Sequence, residues 1–184
     1  KVSVQLLTNV RSGNCTQNCA YCAQSKDSQA EIEKYKRVSD EKLYGDNDLV
    51  DEKHLARHCI GLSGIGFSDE EIEDLADRIR EMKKKDTQIC CSIGFLTEKQ
   101  ARILKDAGLD RINHNLNSSR SFYPEICTTH TYDQRVNNIK MLQSLGFEIC
   151  SGGIVGMGES KEDIVDMLMD LREINPESVP INFL

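Results

Sequence analysis

The chain is short of positive charge: 23 lysines and arginines stand against 30 aspartates and glutamates, a net charge of −7. That balance argues against nucleic acid or an anionic membrane surface as a partner, since either calls for a basic face. No apolar run is long enough to span a bilayer. No secretory signal is visible. Linkers and low-complexity tracts are also missing, so residues 1–184 read as one domain, long enough for a core of its own. The chain starts at Lys1 rather than methionine, and residues 180–184 lie inside an apolar strand pattern. The expectation is a fragment of a longer protein whose last strands lie beyond Leu184.

Eight cysteines are present. A chain this large and helix-rich has no need of a disulfide scaffold. Cys15, Cys19 and Cys22 crowd together, an odd number that cannot pair among themselves. Without a secretion signal, such a cluster points to metal and to a reducing cytoplasm.

Short β runs alternate with amphipathic helices. The strand patterns cover residues 4–10, 58–63, 88–94, 111–116, 148–155 and 179–184. Ile72, Leu75, Ala76, Ile79 and Met82 follow helical spacing, as do Ile164, Val165, Leu168, Leu171 and Ile174, and more weakly Val136, Ile139 and Leu145. Ser68 with Glu71, Thr97 with Gln100 and Thr131 with Gln134 fit capping boxes, and Ser160 with Asp163 is a weaker version. Gly108 and Gly146 fit helix C-termini. Strand, capped helix, glycine, strand is the grammar of parallel βα units.

The strand faces choose between two α/β architectures. Successive residues point to opposite sides of a sheet. Ile89, Cys91 and Ile93 share one face, while Cys90, Ser92 and Gly94 share the other. Ile60 and Leu62 oppose Cys59, Gly61 and Ser63, and Ile112, His114 and Leu116 oppose Asn113, Asn115 and Asn117. A doubly wound sheet would be apolar on both faces. A recurring polar face predicts a (β/α) barrel of the TIM type with a ligand-holding interior, here incomplete with about six βα units. Cys90 should point in and Cys91 out.

The sharpest motif is the C-x3-C-x2-C run of Cys15, Cys19 and Cys22, with Tyr21 before its last cysteine, directly after the first strand. Barrel active sites sit on such loops. Three thiolates can hold three irons of a [4Fe–4S] cluster and leave the fourth iron open. The alternatives are a zinc site completed by His54 or His58, and free thiols.

The motif resembles the signature of the radical S-adenosylmethionine (SAM) superfamily. Across nearly the full length the chain is similar to its biotin synthase family. The phrases that carry this are Cys15 to Gln24, Cys59-Ile-Gly, Asn113-His-Asn-Leu-Asn117, the stretch 123–132 with Thr128-Thr129, Cys150-Ser-Gly-Gly-Ile-Val-Gly-Met-Gly-Glu159, and Ser178-Val-Pro-Ile-Asn182. Residues 26–57 are the least family-like, charge-rich and poorly amphipathic, and their structure stays open.

The resemblance implies a [4Fe–4S] cluster on Cys15, Cys19 and Cys22 whose open iron takes SAM. It implies an auxiliary [2Fe–2S] cluster on Cys59, Cys90 and Cys150, although each thiol alone would read as core. Cys91 and Cys127 are left out. It implies SAM contacts from Tyr21, Asn115, Asn117, Arg135, Ile154 and Val155, and substrate contacts from Asn115 and Asn182. Many family members carry Asp at the position of Asn117, which brings no charge here. No catalytic side chain is implied beyond these ligands. The implied reaction is sulfur insertion into dethiobiotin to give biotin. A flavodoxin or ferredoxin would donate electrons, the protein would be a homodimer, and neither nucleic acid nor membrane would be involved. The rivals are a carbon-skeleton mutase or hydrogenase-maturation enzyme of the same subgroup, and a non-catalytic iron–sulfur or zinc protein.

Overall fold

The computed structural model describes residues 2–184; Lys1 lies outside them. Strands and helices follow in the order β1 (Gln5–Arg11), α1 (Asp40–Glu52), β2 (Arg57–Leu62), α2 (Asp69–Met82), β3 (Ile89–Ser92), α3 (Glu98–Asp106), β4 (Arg111–Asn113), α4 (Tyr123–Ile126), α5 (Tyr132–Ser144), β5 (Glu148–Cys150), β6 (Gly153–Val155), α6 (Lys161–Ile174) and β7 (Ile181–Phe183). The strands β1 to β5 pair in sequence order, and β6 pairs with β7. Every strand pairing is parallel. Bridges from Asn117 to Gly153 and from Cys150 to Ser178 join the two sheets into one arc.

Two expected strands are interrupted. The 148–155 strand splits into β5 and β6 because Gly152 lies against Pro180, where a β-carbon would overlap the carbonyl. The flanking N–H groups of Ser151 and Gly153 donate to the carbonyls of Ser178 and Pro180. The 111–116 strand is regular only to Asn113. Beyond it, Asn117 takes a φ of +72°, which ends the alternation.

The helix starts form as their sequences dictate. Ser68, Thr97, Thr131 and Ser160 all close reciprocal capping boxes, the last as completely as the others. Gly108 and Gly146 follow helix ends at φ +96° and +77°.

The core lies on one side of the sheet. Ile60, Ile89, Cys91, Ile112 and Ile149 pack with Ile72, Leu75, Ile79 and Met82 of α2, Leu104 of α3, and Ile139 and Leu142 of α5. Cys59, Cys90, Asn113 and Cys150, on the other face, take no part in it. One helix-covered apolar face and one polar face make a barrel wall, not a doubly wound sheet.

Helix α6 departs from its expected stripe. Met167, Leu171 and Ile174 are buried, while Val165 and Leu168 are exposed. Apolar residues run most of the way round this helix, so their spacing does not single out the covered side. Residues 26–57 contain α1, capped by Ser39, which accepts from the Lys42 N–H. Its buried stripe is only Leu43, Asn47 and Val50. The polar member, Asn47, is satisfied by donating to the Met82 carbonyl.

Candidate active site

The cysteine loop leaves β1 at its C-terminal end, and tertiary hydrogen bonds shape it. Gly13, at φ +70°, donates its N–H to Gln24 Oε1 at 2.8 Å and accepts from Ser63 Oγ at 2.6 Å. Asn18 Oδ1 accepts from the Thr128 N–H at 3.0 Å, and the Ala20 N–H donates to the Ile126 carbonyl at 2.9 Å. The loop is thereby tied to the segment after α4. Cys15, Cys19 and Cys22 line one cavity of about 230 Å³ with Gln17, Tyr21, Asn113, Asn115, Asn117, His130 and Arg135. None of its lining residues is an aspartate or glutamate.

Arg135 enters this cavity from the first turn of α5. Its Nε donates to Tyr123 Oη, its Nη1 to the Asn115 carbonyl at 3.2 Å, and its Nη2 to His130 Nε2 at 2.8 Å. Two of its five N–H groups remain uncommitted. Among the described residues, no carboxylate pairs with it. A half-buried guanidinium without a counter-charge is a receptor for an anion. Beside it, Asn117 donates to Tyr21 Oη at 2.6 Å. Asn115 Oδ1 accepts from the Gly152 N–H at 3.1 Å. Burial pushes the Tyr21 hydroxyl well above its ordinary pKa, so it stays protonated. Burial, with Cys127 adding, pushes Cys19 up to about 12, so a metal binding there must displace a proton.

Cys127 was not among the expected ligands, yet its Sγ lies 3.7 Å from that of Cys19. Together with His130 these groups fall within 4.8 Å of one another. They do not make a separate metal site, because both ring nitrogens of His130 are already spent. Nδ1 faces Gln17 Oε1 at 3.0 Å and Nε2 faces Arg135. The zinc alternative finds no support either. His58 sits buried on the helix-covered side between Thr8 Oγ1 at 2.9 Å and Asn47 Oδ1 at 3.2 Å. His54 is exposed after α1.

A second thiol group lies on the polar face of the sheet. Cys59 and Cys90 are paired across β2 and β3. Cys150, on β5, stands opposite Asn113, whose Nδ2 donates to its Sγ at 3.2 Å. Cys59 Sγ donates to Gln5 Oε1 at 3.0 Å. The neighbouring Cys90 thiol lowers Cys59 to about 7 and is itself raised, and Arg57 and Arg111 add to the lowering. Arg57 and Arg111 both pair with Glu148, at 3.5 and 2.6 Å. The sequence reading missed these three charges. Their signal was available, since each stands two residues from an inward side chain: Cys59, Asn113 or Cys150. All eight thiols are free.

The remaining expected contacts lie apart. Ile154 and Val155 are half-buried on β6, Asn182 is exposed on β7, and none of the three lines the cavity. Gly152 and Gly153 are required by packing against Pro180 and Met167.

Comparison with known proteins places residues 9–171 within the model of the radical SAM superfamily. The chain is 43% identical over 184 residues to a protein named biotin synthase from Rhodopirellula baltica, covering 100% of this chain and 51% of that protein. It is 43% identical over 183 residues to biotin synthase from Magnetococcus marinus, covering 99% and 57%. The chain thus spans about half the length of the curated relatives it matches. Among solved structures it is similar to methylornithine synthase (PylB), with a TM-score of 0.88 at 15% identity over 100% of this chain and 54% of that one. At that identity the likeness concerns the fold alone.

Proposed function

The chain belongs to the radical SAM superfamily, and from that premise we propose that it forms the cofactor-binding part of a biotin synthase. The observation that carries this reading is the convergence of three loop thiols and an uncompensated arginine on one cavity without acids. Cys15, Cys19 and Cys22 fit three irons of a [4Fe–4S] cluster, and Arg135 fits the carboxylate of SAM as a fork. Cys59, Cys90 and Cys150 fit an auxiliary [2Fe–2S] cluster; a set of three inner thiols sets this chain apart from the mutase and maturase rivals. When bound, these groups supply the reductive cleavage of the sulfonium C–S bond and the sulfur inserted into dethiobiotin.

The protein's own side chains bind and orient. Arg135 neutralises the carboxylate. Tyr21, Asn115 and Asn117 present hydroxyl and amide groups to the nucleoside, with Ile154 and Val155 supplying apolar contact. Asn115 and Asn182 hydrogen-bond the ureido ring of dethiobiotin. A flavodoxin or ferredoxin supplies electrons, the protein works as a homodimer, and its free thiols suit the cytoplasm. Among the described residues, no helix is long and apolar enough to cross a membrane.

The test is anaerobic reconstitution of the full-length protein with iron and sulfide, followed by assay of 5′-deoxyadenosine and biotin. Both products should form from SAM and dethiobiotin, and Cys19→Ala should abolish both, because the open-iron site is lost. Deoxyadenosine formation by Cys19→Ala at the wild-type rate contradicts the assignment.

A further inference from the structure

We propose that His130 is a positioning residue: it holds Arg135 in the orientation its anionic ligand requires, and Gln17 in turn fixes His130. The inference deepens the SAM reading above and rests on it.

The hydrogen-bond chain has only one consistent direction. A guanidinium can only donate, so His130 Nε2, at 2.8 Å from Arg135 Nη2, must accept. The ring proton is then on Nδ1, which donates to Gln17 Oε1 at 3.0 Å. Gln17 Nε2 donates to Thr16 Oγ1 at 3.0 Å, which leaves its oxygen for the histidine. Cys127 Sγ does not compete for either nitrogen. It lies 3.4 Å from one and 3.7 Å from the other, beside the ring rather than in line with a lone pair. Phe95 and Tyr123 clamp the ring edge-on, with centroids 5.5 and 5.9 Å away. Burial and the Arg135 charge also disfavour an imidazolium, which would have no acceptor left to offer.

Gln17 and His130 are both buried, and Gln17 sits between two of the cluster cysteines. The conformation of the cysteine loop and the aim of Arg135 are therefore joined by a chain of three side chains. Tyr123 and the Asn115 carbonyl hold the other side of the guanidinium. Loss of His130 should loosen Arg135 without releasing it.

The test compares His130→Ala with His130→Gln in the reconstituted protein. Glutamine can accept from Arg135 and donate to Gln17, so it restores the polarity of the chain; alanine cannot. Equilibrium dialysis gives the Kd for SAM, and 5′-deoxyadenosine formation gives KM and kcat. Iron content reports on the loop. His130→Ala should weaken SAM binding about tenfold, the loss of one hydrogen bond to a charged group. KM should rise in parallel, kcat should change far less, iron content should hold, and His130→Gln should recover most of the affinity. Wild-type affinity in His130→Ala overturns the proposal, as does a His130→Gln no better than alanine. Loss of iron from both variants also overturns it, since His130 would then act on the fold of the loop. If the wild-type protein itself fails to bind SAM, the functional reading falls, and this inference falls with it.

Discussion

Cys90 and Cys91 are adjacent, identical in chemistry and both buried, yet they belong to different regions of the molecule. Cys91 packs under the helices with Ile60, Ile89 and Ile112. Cys90 faces the barrel interior, paired with Cys59 on β2 and opposite Arg111 on β4, with Cys150 near it. The pleat alone separates them. Burial by itself therefore says little about what a cysteine does; the chemistry of its neighbours decides. The outer face is a packing surface, while the inner face is a set of polar and ionisable groups outside the core.

Deleting each thiol in turn should separate the two faces most strongly. Cys90→Ala should remove the auxiliary cluster and all biotin formation, whereas Cys91→Ala should keep both and lose only about 1 kcal/mol of stability. Iron analysis with a thermal melt decides. Equal loss of iron in the two variants contradicts the division of faces.

The next largest effect lies between neighbours on β4. Ile112→Ala should cost about 2–5 kcal/mol, because a fully buried side chain leaves a cavity. Asn113→Ala should stay within about 1 kcal/mol, because the residue is outside the core. Chemical denaturation of both variants measures the contrast.

Acid should weaken the fold through two buried histidines, His58 on the helix-covered side and His114 in the wall of the cysteine cavity. Burial lowers His58 to about 4 and His114 to about 3, against an ordinary value of 6.5. A depressed histidine stabilises the fold while neutral. That contribution is intact above pH 6.5 and is lost progressively as pH falls toward 4. Denaturation midpoints should decline across that window. His58→Gln should flatten the slope, and an unchanged slope would mean that His58 is not held neutral by burial.

The smallest effect separates thiols by reactivity. In cluster-free protein Cys59 should alkylate with a half-maximum near pH 7, while Cys91, which burial pushes far up, stays unmodified. Mass spectrometry of tryptic peptides reads both.

Most of the fold was legible because its signals are local. The capping boxes, the two terminal glycines and the period-2 faces each span a few residues. So did the first thiol set, whose spacing lies within one loop. The strand thiols needed both the alternation and the family resemblance, since they are contributed by three separate strands. What escaped was tertiary. Helix α1 hides because its buried stripe includes Asn47 and is surrounded by charge. Apolar residues on several sides of α6 conceal which side is covered. The Gln17–His130–Arg135 chain joins residues more than a hundred positions apart and leaves no local pattern.

A second cluster on the inner thiols, with a task distinct from that of the loop cluster, would uncouple the two products. The deciding quantity is the yield of 5′-deoxyadenosine and of biotin, in one reaction, from the reconstituted full-length Cys150→Ala protein. Deoxyadenosine formed without biotin, with iron content reduced from wild type, is the predicted result. Biotin at the wild-type yield would contradict it.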